Sequence, residues 1–240
     1  MLDKLIDIKS KMDSLKPFSD GFKAIYENLN LLDFAYMNLK LDGSNLTKEG
    51  VNEIIKGEVI DHVSLMEHQE VVHHKEILKT MNDMLQMDME LDEKQITRLY
   101  KSLTGKENIS FRSDTSILYH LDYMPSAAAT IEDELKDVFI QVFKIDYKGD
   151  FIKRAISIHN RIVKVYPFKD ENECLARIAM EYELMRNGMP VIPFELSESD
   201  YNCMLGEYLS TGEEDPLYEN LMFSAVSKLN ILIGLLEDEY

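Results

Sequence analysis

The residues best equipped for chemistry in this 240-residue chain sit in one short segment, Tyr166-Pro167-Phe168-Lys169-Asp170-Glu171-Asn172-Glu173. It places an aromatic, a proline and three carboxylates between two strongly helical stretches, the second opening with Asn172 or Glu173 at its cap. The first N–H groups of a helix lack partners and attract negative charge. Glu171 and Glu173 can fill that position themselves, stabilised by the helix dipole. Two readings follow, a cation or substrate site and a well-capped helix start, because acidic residues are enriched in first turns for structural reasons. Cys174 follows directly. A thiol at a helix start gains acidity, but the neighbouring carboxylates disfavour thiolate, so packing is the expected role.

A second group is His62, His68, His73 and His74. Glu70 precedes His73 and His74 by three and four residues, a spacing that shares a helix face. It is not the His-Glu-x-x-His arrangement of a zinc site, and a solvated face is the plainer reading.

The elements that must hold these residues are mostly helical. Leu5, Ile8, Met12 and Leu15 mark a first helix closed by Pro17. A second follows Ser19, with Phe22, Ile25, Leu29, Leu32 and Phe34 facing inward. The loop Leu41–Thr47 ends it, and Thr47 caps a short helix running to Gly57. A long helix spans roughly Asp61 to Met87, and another lies between Asp92 and Leu103. Phe111, Ile117, Tyr119 and Leu121 fall on alternate residues over the second half of the segment 105–123, which predicts a β-hairpin at about 107–121. Helices resume at 131–143, 151–165, 173–186, 198–209 and 218–236, with Gly188 at a C′ position. The fold class is mostly α with one small hairpin.

Lys plus Arg number 26 and Asp plus Glu 44, a formal net charge of −18. That surface repels phosphate backbones and anionic bilayers, so neither nucleic acid nor membrane is expected as a partner. Two cysteines, Cys174 and Cys203, are too few for a disulfide framework. No uninterrupted apolar run approaches a membrane span, and the charged start Met1–Asp7 does not resemble a signal peptide. The expectation is a cytoplasmic protein.

The loop and its surroundings, Ile152 through Tyr166-Pro167-Phe168-Lys169-Asp170-Glu171-Asn172-Glu173-Cys174-Leu175-Ala176-Arg177, resemble the Fic (Fido) family, whose signature is H-P-F-x-D-G-N-G-R-x-x-R. Glu183–Ile192 resembles the segment after the signature helix, and Gly105–Arg112 with Tyr123-Met124-Pro125 the flap hairpin and its exit. Asn38-Leu39-Lys40-Leu41-Asp42-Gly43 resembles the upstream inhibitory motif, S/T-x-x-x-E-G/N. The resemblance covers roughly residues 20–230. It implies an N-terminal helix at 1–19 and a Fic-type domain at 20–240, with a flap at about 105–123 and a signature loop at 166–177. It also implies transfer of AMP from ATP to a protein hydroxyl. In the family the His is the general base, the Asp holds a divalent cation, the glycines let backbone approach the phosphates, and the arginines bind phosphate or the inhibitory Glu.

Here Pro167, Phe168, Asp170, Asn172 and Arg177 match, while Tyr166, Glu171, Glu173 and Cys174 replace His, Gly, Gly and Arg. A phenol of reference pKa about 10 is a poor base at neutral pH. Side chains at the glycine positions obstruct the phosphate approach. A like-charge contact at about 4 Å costs on the order of 4 kcal/mol even at an effective dielectric near 20. Cys cannot replace a bidentate guanidinium. The inhibitory motif has drifted too, with Asn38 for Ser or Thr and Asp42 for Glu.

The resulting expectation is a Fic-like protein whose AMP-transfer site is dismantled and which binds a protein partner through the flap at 107–121. Tyr166, Asn172 and Arg177 occupy the catalytic positions. Asp170 is the metal position, and Mg²⁺ and ATP are the cofactors only if family activity remains. The alternative is a transferase of altered chemistry that uses an Asp170-bound metal and Glu171 or Glu173 as base. A third reading is a protein that binds a small ligand other than ATP in the remodelled pocket. Fold alone does not choose among them.

Overall fold

A computed structural model describes residues 1–237. Among them are ten α-helices and no strand: α1 Leu2–Ser14, α2 Asp20–Leu41, α3 Lys48–Ile55, α4 Leu65–Gln86, α5 Glu93–Thr104, α6 Ile131–Lys144, α7 Phe151–Val165, α8 Asn172–Arg186, α9 Glu198–Thr211 and α10 Asp215–Glu237. Capping chemistry sets most boundaries. Ser19 accepts from Phe22 N at 3.0 Å to start α2, and Thr47 from Gly50 N at 3.1 Å to start α3. Ser64 and Glu67 form a reciprocal capping box that starts α4 at Leu65, four residues later than the expected Asp61. Gly105 ends α5 in the left-handed conformation (φ 64°).

The centre is the helical pair α7–α8, joined by the loop 166–171 and packed more extensively than any other pair. Their facing residues, including Ile152, Ile156, Ile162, Leu175, Ile178 and Tyr182, are all fully buried. α5 and α4 pack on α8, α6 packs on α7, and α2 lies against α4 and α9. α1 lies on α10, with Leu5 and Met12 in the same continuous core as the central pair. A smaller cluster joins Leu32, Ala35 and Leu39 of α2 to Val51 and Ile54 of α3 and Val71 of α4.

α10 is long and apolar enough to cross a membrane by length and composition, with a mean hydropathy of 1.2. Half of that window is buried inside the protein, and within it Lys228 meets Asp33 of α2 at 2.5 Å. In this fold it serves as a core helix. Ile25, expected to face inward, is 43% exposed.

The predicted hairpin does not form. Residues 105–117 run as irregular chain, followed by a single 3₁₀ turn at Tyr119–Leu121 and one isolated antiparallel bridge, Leu118–Tyr123. The buried residues are Leu118 and Leu121, at the three-residue spacing of the turn, whereas Ile117 and Tyr119 are 47% and 85% exposed. The segment is held instead by Arg112. Its backbone N–H donates to the Pro167 carbonyl at 3.0 Å. Its buried guanidinium donates to the carbonyls of Tyr166 (2.7 Å), Val165 (3.3 Å), Asp114 (2.8 Å) and Ser126 (2.5 Å). One side chain thereby replaces a strand ladder in fixing the segment to the head of the central pair.

Candidate functional site

The loop 166–171 begins and ends in left-handed backbone, Tyr166 at φ 50° and Glu171 at φ 58°. Between them the turn is tied by Asn172, which is fully buried. Its Oδ1 accepts from Phe168 N at 2.9 Å, and its amide donates to the carbonyls of Phe168 (2.9 Å) and Asp170 (3.1 Å). Phe168 stacks on Tyr100 of α5 with ring centroids 3.8 Å apart and also meets Phe111. Asn172 is therefore a structural tie.

Asp170 stands on the cleft rim. One carboxylate oxygen accepts from the Tyr100 hydroxyl, and the other meets Lys106 Nζ at 3.2 Å. Burial raises its pKa, but the Tyr100 and Lys106 hydrogen bonds outweigh this and hold it below the usual carboxylate value. Tyr166 is nearly buried. Burial and the nearby Glu173 charge push its phenol up to about 12, which leaves even less phenolate at neutral pH to serve as a base than in free tyrosine. Glu173 meets His120 Nε2 at 2.9 Å. Glu171 is exposed at the N-cap of α8 without a side-chain cap hydrogen bond, and burial plus Asp42 raises its pKa. Cys174 is fully buried, its Sγ 3.7 Å from Asn38 Oδ1, and burial raises its thiol well above the ordinary value.

The upstream segment Asn38–Asp42 meets the end of the signature segment at Arg177. Arg177, 0% exposed, donates to Asn38 Oδ1 at 2.8 Å and to Asp42 Oδ1 at 2.5 Å. Its guanidinium lies over the Tyr201 ring at 5.4 Å. Burial opposes its charge, but Asp42 prevails and raises its pKa. The one-methylene-shorter Asp42 reaches because it is the C-cap of α2, one turn past Asn38. Gly43 turns the chain away at φ 84°, where an added Cβ would come within 3.4 Å of Glu198.

Behind this layer lies a polar chain that the sequence reading did not pick out. His159 is wholly buried on α7, with Nδ1 2.8 Å from Asn160 Oδ1 and Nε2 2.7 Å from the Tyr201 hydroxyl. Burial, aided by Arg177, pushes it down to about 4. The available signal was its register: Ile152, Ile156 and His159 share one face of an apolar helix. Tyr100, Arg112 and Tyr201 were also missed, because long-range contacts to backbone and rings leave no local pattern.

The four singled-out histidines do not converge. His68 is occupied by Ser64 O and Ile60 N, His74 Nδ1 by Glu70 O at 2.8 Å, and His62 and His73 are exposed.

A cleft of about 580 Å³ opens in front of the loop, between the end of α2, α4 and the start of α8. Its wall carries Asp42, Glu67, Glu70, Asp170 and Glu171, against the single lysine Lys106. The cleft is electronegative where a triphosphate would need cations.

Residues 90–184, which include the whole loop and most of α8, match the Fic/DOC family model. The chain is 25% identical over 216 residues to protein adenylyltransferase fic-1 of Caenorhabditis elegans, covering 84% of this chain and 41% of that protein. To protein adenylyltransferase Fic of Nematostella vectensis it is 23% identical over 235 residues, covering 94% and 53%. It thus spans about two fifths to a half of the length of these curated relatives. Among solved structures, Fic-1 (residues 134–508) of C. elegans superposes with a TM-score of 0.78 at 19% identity, covering 99% of this chain and 73% of that one. A Fic domain containing signaling protein from Bacteroides thetaiotaomicron gives 0.78 at 18% identity, covering 96% and 98%. With the signature loop, the contacts of Arg177 with Asn38 and Asp42 and these likenesses in hand, the chain is similar to the Fic/DOC family across its signature region and shares the Fic fold.

Proposed function

We propose that this protein is a non-catalytic member of its family, a binding or regulatory module whose AMP-transfer site has been dismantled. The observation that carries the reading is position 171. Where the resemblance puts a glycine against phosphate, a glutamate is held in left-handed backbone at the head of α8, beside Asp42. The surrounding positions act in the same direction. Tyr166 is a buried phenol, Cys174 is a buried thiol, and Arg177 is engaged by Asn38 and Asp42. The partner is a protein that docks on the flap segment 107–121, where Ile117 and Tyr119 are exposed. A net charge of −18 suits a basic partner. The protein acts in the cytoplasm. No observation favours the altered-transferase reading: Asp170 is occupied by Tyr100 and Lys106, and Glu173 by His120.

Radiolabelled ATP incubated with the protein, cell extract and Mg²⁺ or Mn²⁺ should leave no label above that of an Asp170→Ala control. Loss of a general base alone costs around 10² to 10⁴ in rate, and misplaced charge at the phosphates costs at least as much. Labelling should stay absent in Asp42→Ala. Robust labelling that vanishes in Tyr166→Phe or Glu171→Ala would overturn the reading in favour of a transferase of altered chemistry.

A further inference from the structure

The replacements at the head of α8 put a soft donor beside hard ones. One carboxylate oxygen of Asp42, one of Glu171 and Cys174 Sγ all lie within 4.8 Å of one another. They line the same cleft as His74. That imidazole is 5% exposed, and its Nδ1 has only the Glu70 carbonyl to meet, at 2.8 Å, so Nδ1 carries the proton and Nε2 bears a free lone pair. Nε2 is buried and has no hydrogen-bond partner. A buried acceptor left bare in this way is costly. A carbonyl fixing one ring nitrogen so that the other presents its lone pair is the arrangement found at ligating histidines.

We infer that Asp42, Glu171 and Cys174, with His74 on the same cleft wall, form a site for a divalent metal of the zinc type, distinct from the Asp170 position. The donor chemistry selects the metal class. Thiolate and imidazole favour zinc over the all-oxygen preference of Mg²⁺. Zinc–ligand distances of 2.0–2.3 Å place tetrahedral donors roughly 3.3–3.8 Å apart. The three atoms therefore need to close by only about 1 Å. The charge also fits. Two carboxylates and a thiolate, set against the Arg177 guanidinium on Asp42, leave two negative charges for a divalent ion to neutralise. Binding replaces the thiol proton, which leaves to solvent as the metal–sulfur bond forms. The site makes use of residues that the AMP-transfer chemistry would reject, and it does not depend on whether nucleotide binds.

The test uses the full chain and Co²⁺ as a spectroscopic probe for Zn²⁺, with no nucleotide. One equivalent should bind and give the near-ultraviolet thiolate-to-cobalt charge-transfer band, which Zn²⁺ should displace. Cys174→Ser should abolish the band. Glu171→Gln, at an exposed position that keeps the fold, should weaken binding at least about tenfold, as should His74→Gln, by analogy with losses seen on perturbing metal sites. Cys203→Ser should leave the band intact. No stoichiometric binding by the wild-type chain would overturn the proposal. So would a band that persists in Cys174→Ser, or binding lost in Asp170→Ala but retained in Glu171→Gln.

Discussion

The signature loop has two halves that differ in how well their groups are satisfied. In the first, Pro167, Phe168 and Asn172 are buried or tied, every Asn172 hydrogen bond goes to loop backbone, and Phe168 is clamped by Tyr100. In the second, Glu171 sits in a backbone conformation that suits glycine, carries a raised pKa, and faces Asp42. Residues that shape the turn are tied by their contacts, while the positions where the resemblance puts glycine carry charge and bulk. The contrast teaches that the loop's geometry and its chemistry are separable: the frame depends on the Asn172 amide and on the stacked rings of Phe168 and Tyr100.

The contrast breaks most visibly at Asn172. Asn172→Ala leaves the Phe168 N–H and two loop carbonyls without partners in a buried site. At about 1–3 kcal/mol for an unsatisfied buried group, we expect a loss of about 3 kcal/mol, measured as a lower midpoint in urea unfolding. An unchanged midpoint would show that the frame does not rest on this side chain.

A smaller effect lies behind the loop, at His159. Its pKa falls from an ordinary 6.5 to about 4 in the folded protein. The unfolded chain therefore binds the proton first, and stability present above pH 6.5 is lost as the pH falls toward 4. One pKa unit is worth about 1.4 kcal/mol, so the loss between pH 7 and pH 5 is about 2 kcal/mol. His159→Gln should flatten this part of the pH–stability curve, whatever it does to the absolute value. A slope that survives the substitution would assign it to other groups.

The smallest expected change sharpens the second half. Glu171→Gly relieves a left-handed backbone conformation worth roughly 1 kcal/mol and removes a carboxylate from beside Asp42. We expect a stabilisation of about 1 kcal/mol, visible as a rise in melting temperature. Destabilisation would mean that the glutamate makes a contact that outweighs its strain.

Much of this was legible in the chain itself. Ser19, Thr47 and Asp92 mark helix starts through short-range capping, and the apolar spacing in α7 and α8 identifies the central pair. The Asn38–Asp42 motif and Arg177 could be named in advance, and the fold brings them together across 135 residues of sequence. The hairpin misled because alternation at Ile117, Tyr119 and Leu121 imitates a strand. Burial instead follows Leu118 and Leu121, and the nearby backbone is tied by a guanidinium that no periodicity reveals. His159 escaped notice for the opposite reason. A histidine on an apolar face looks like packing until Tyr201, from a helix much later in the chain, supplies its partner.

The Arg112 anchor has a further consequence for exchange and cleavage. Among the described residues, the amides of 113–117 enter no backbone hydrogen bond, whereas that of Arg112 is held by Pro167. The segment is therefore pinned at Arg112, at the Asp114 carbonyl and at the Leu118–Tyr123 bridge, while its amides at 113–117 have no backbone acceptor. Deuterium should enter 113–117 rapidly and Arg112 slowly, and a protease should nick between these fixed points while the α7–α8 pair stays folded.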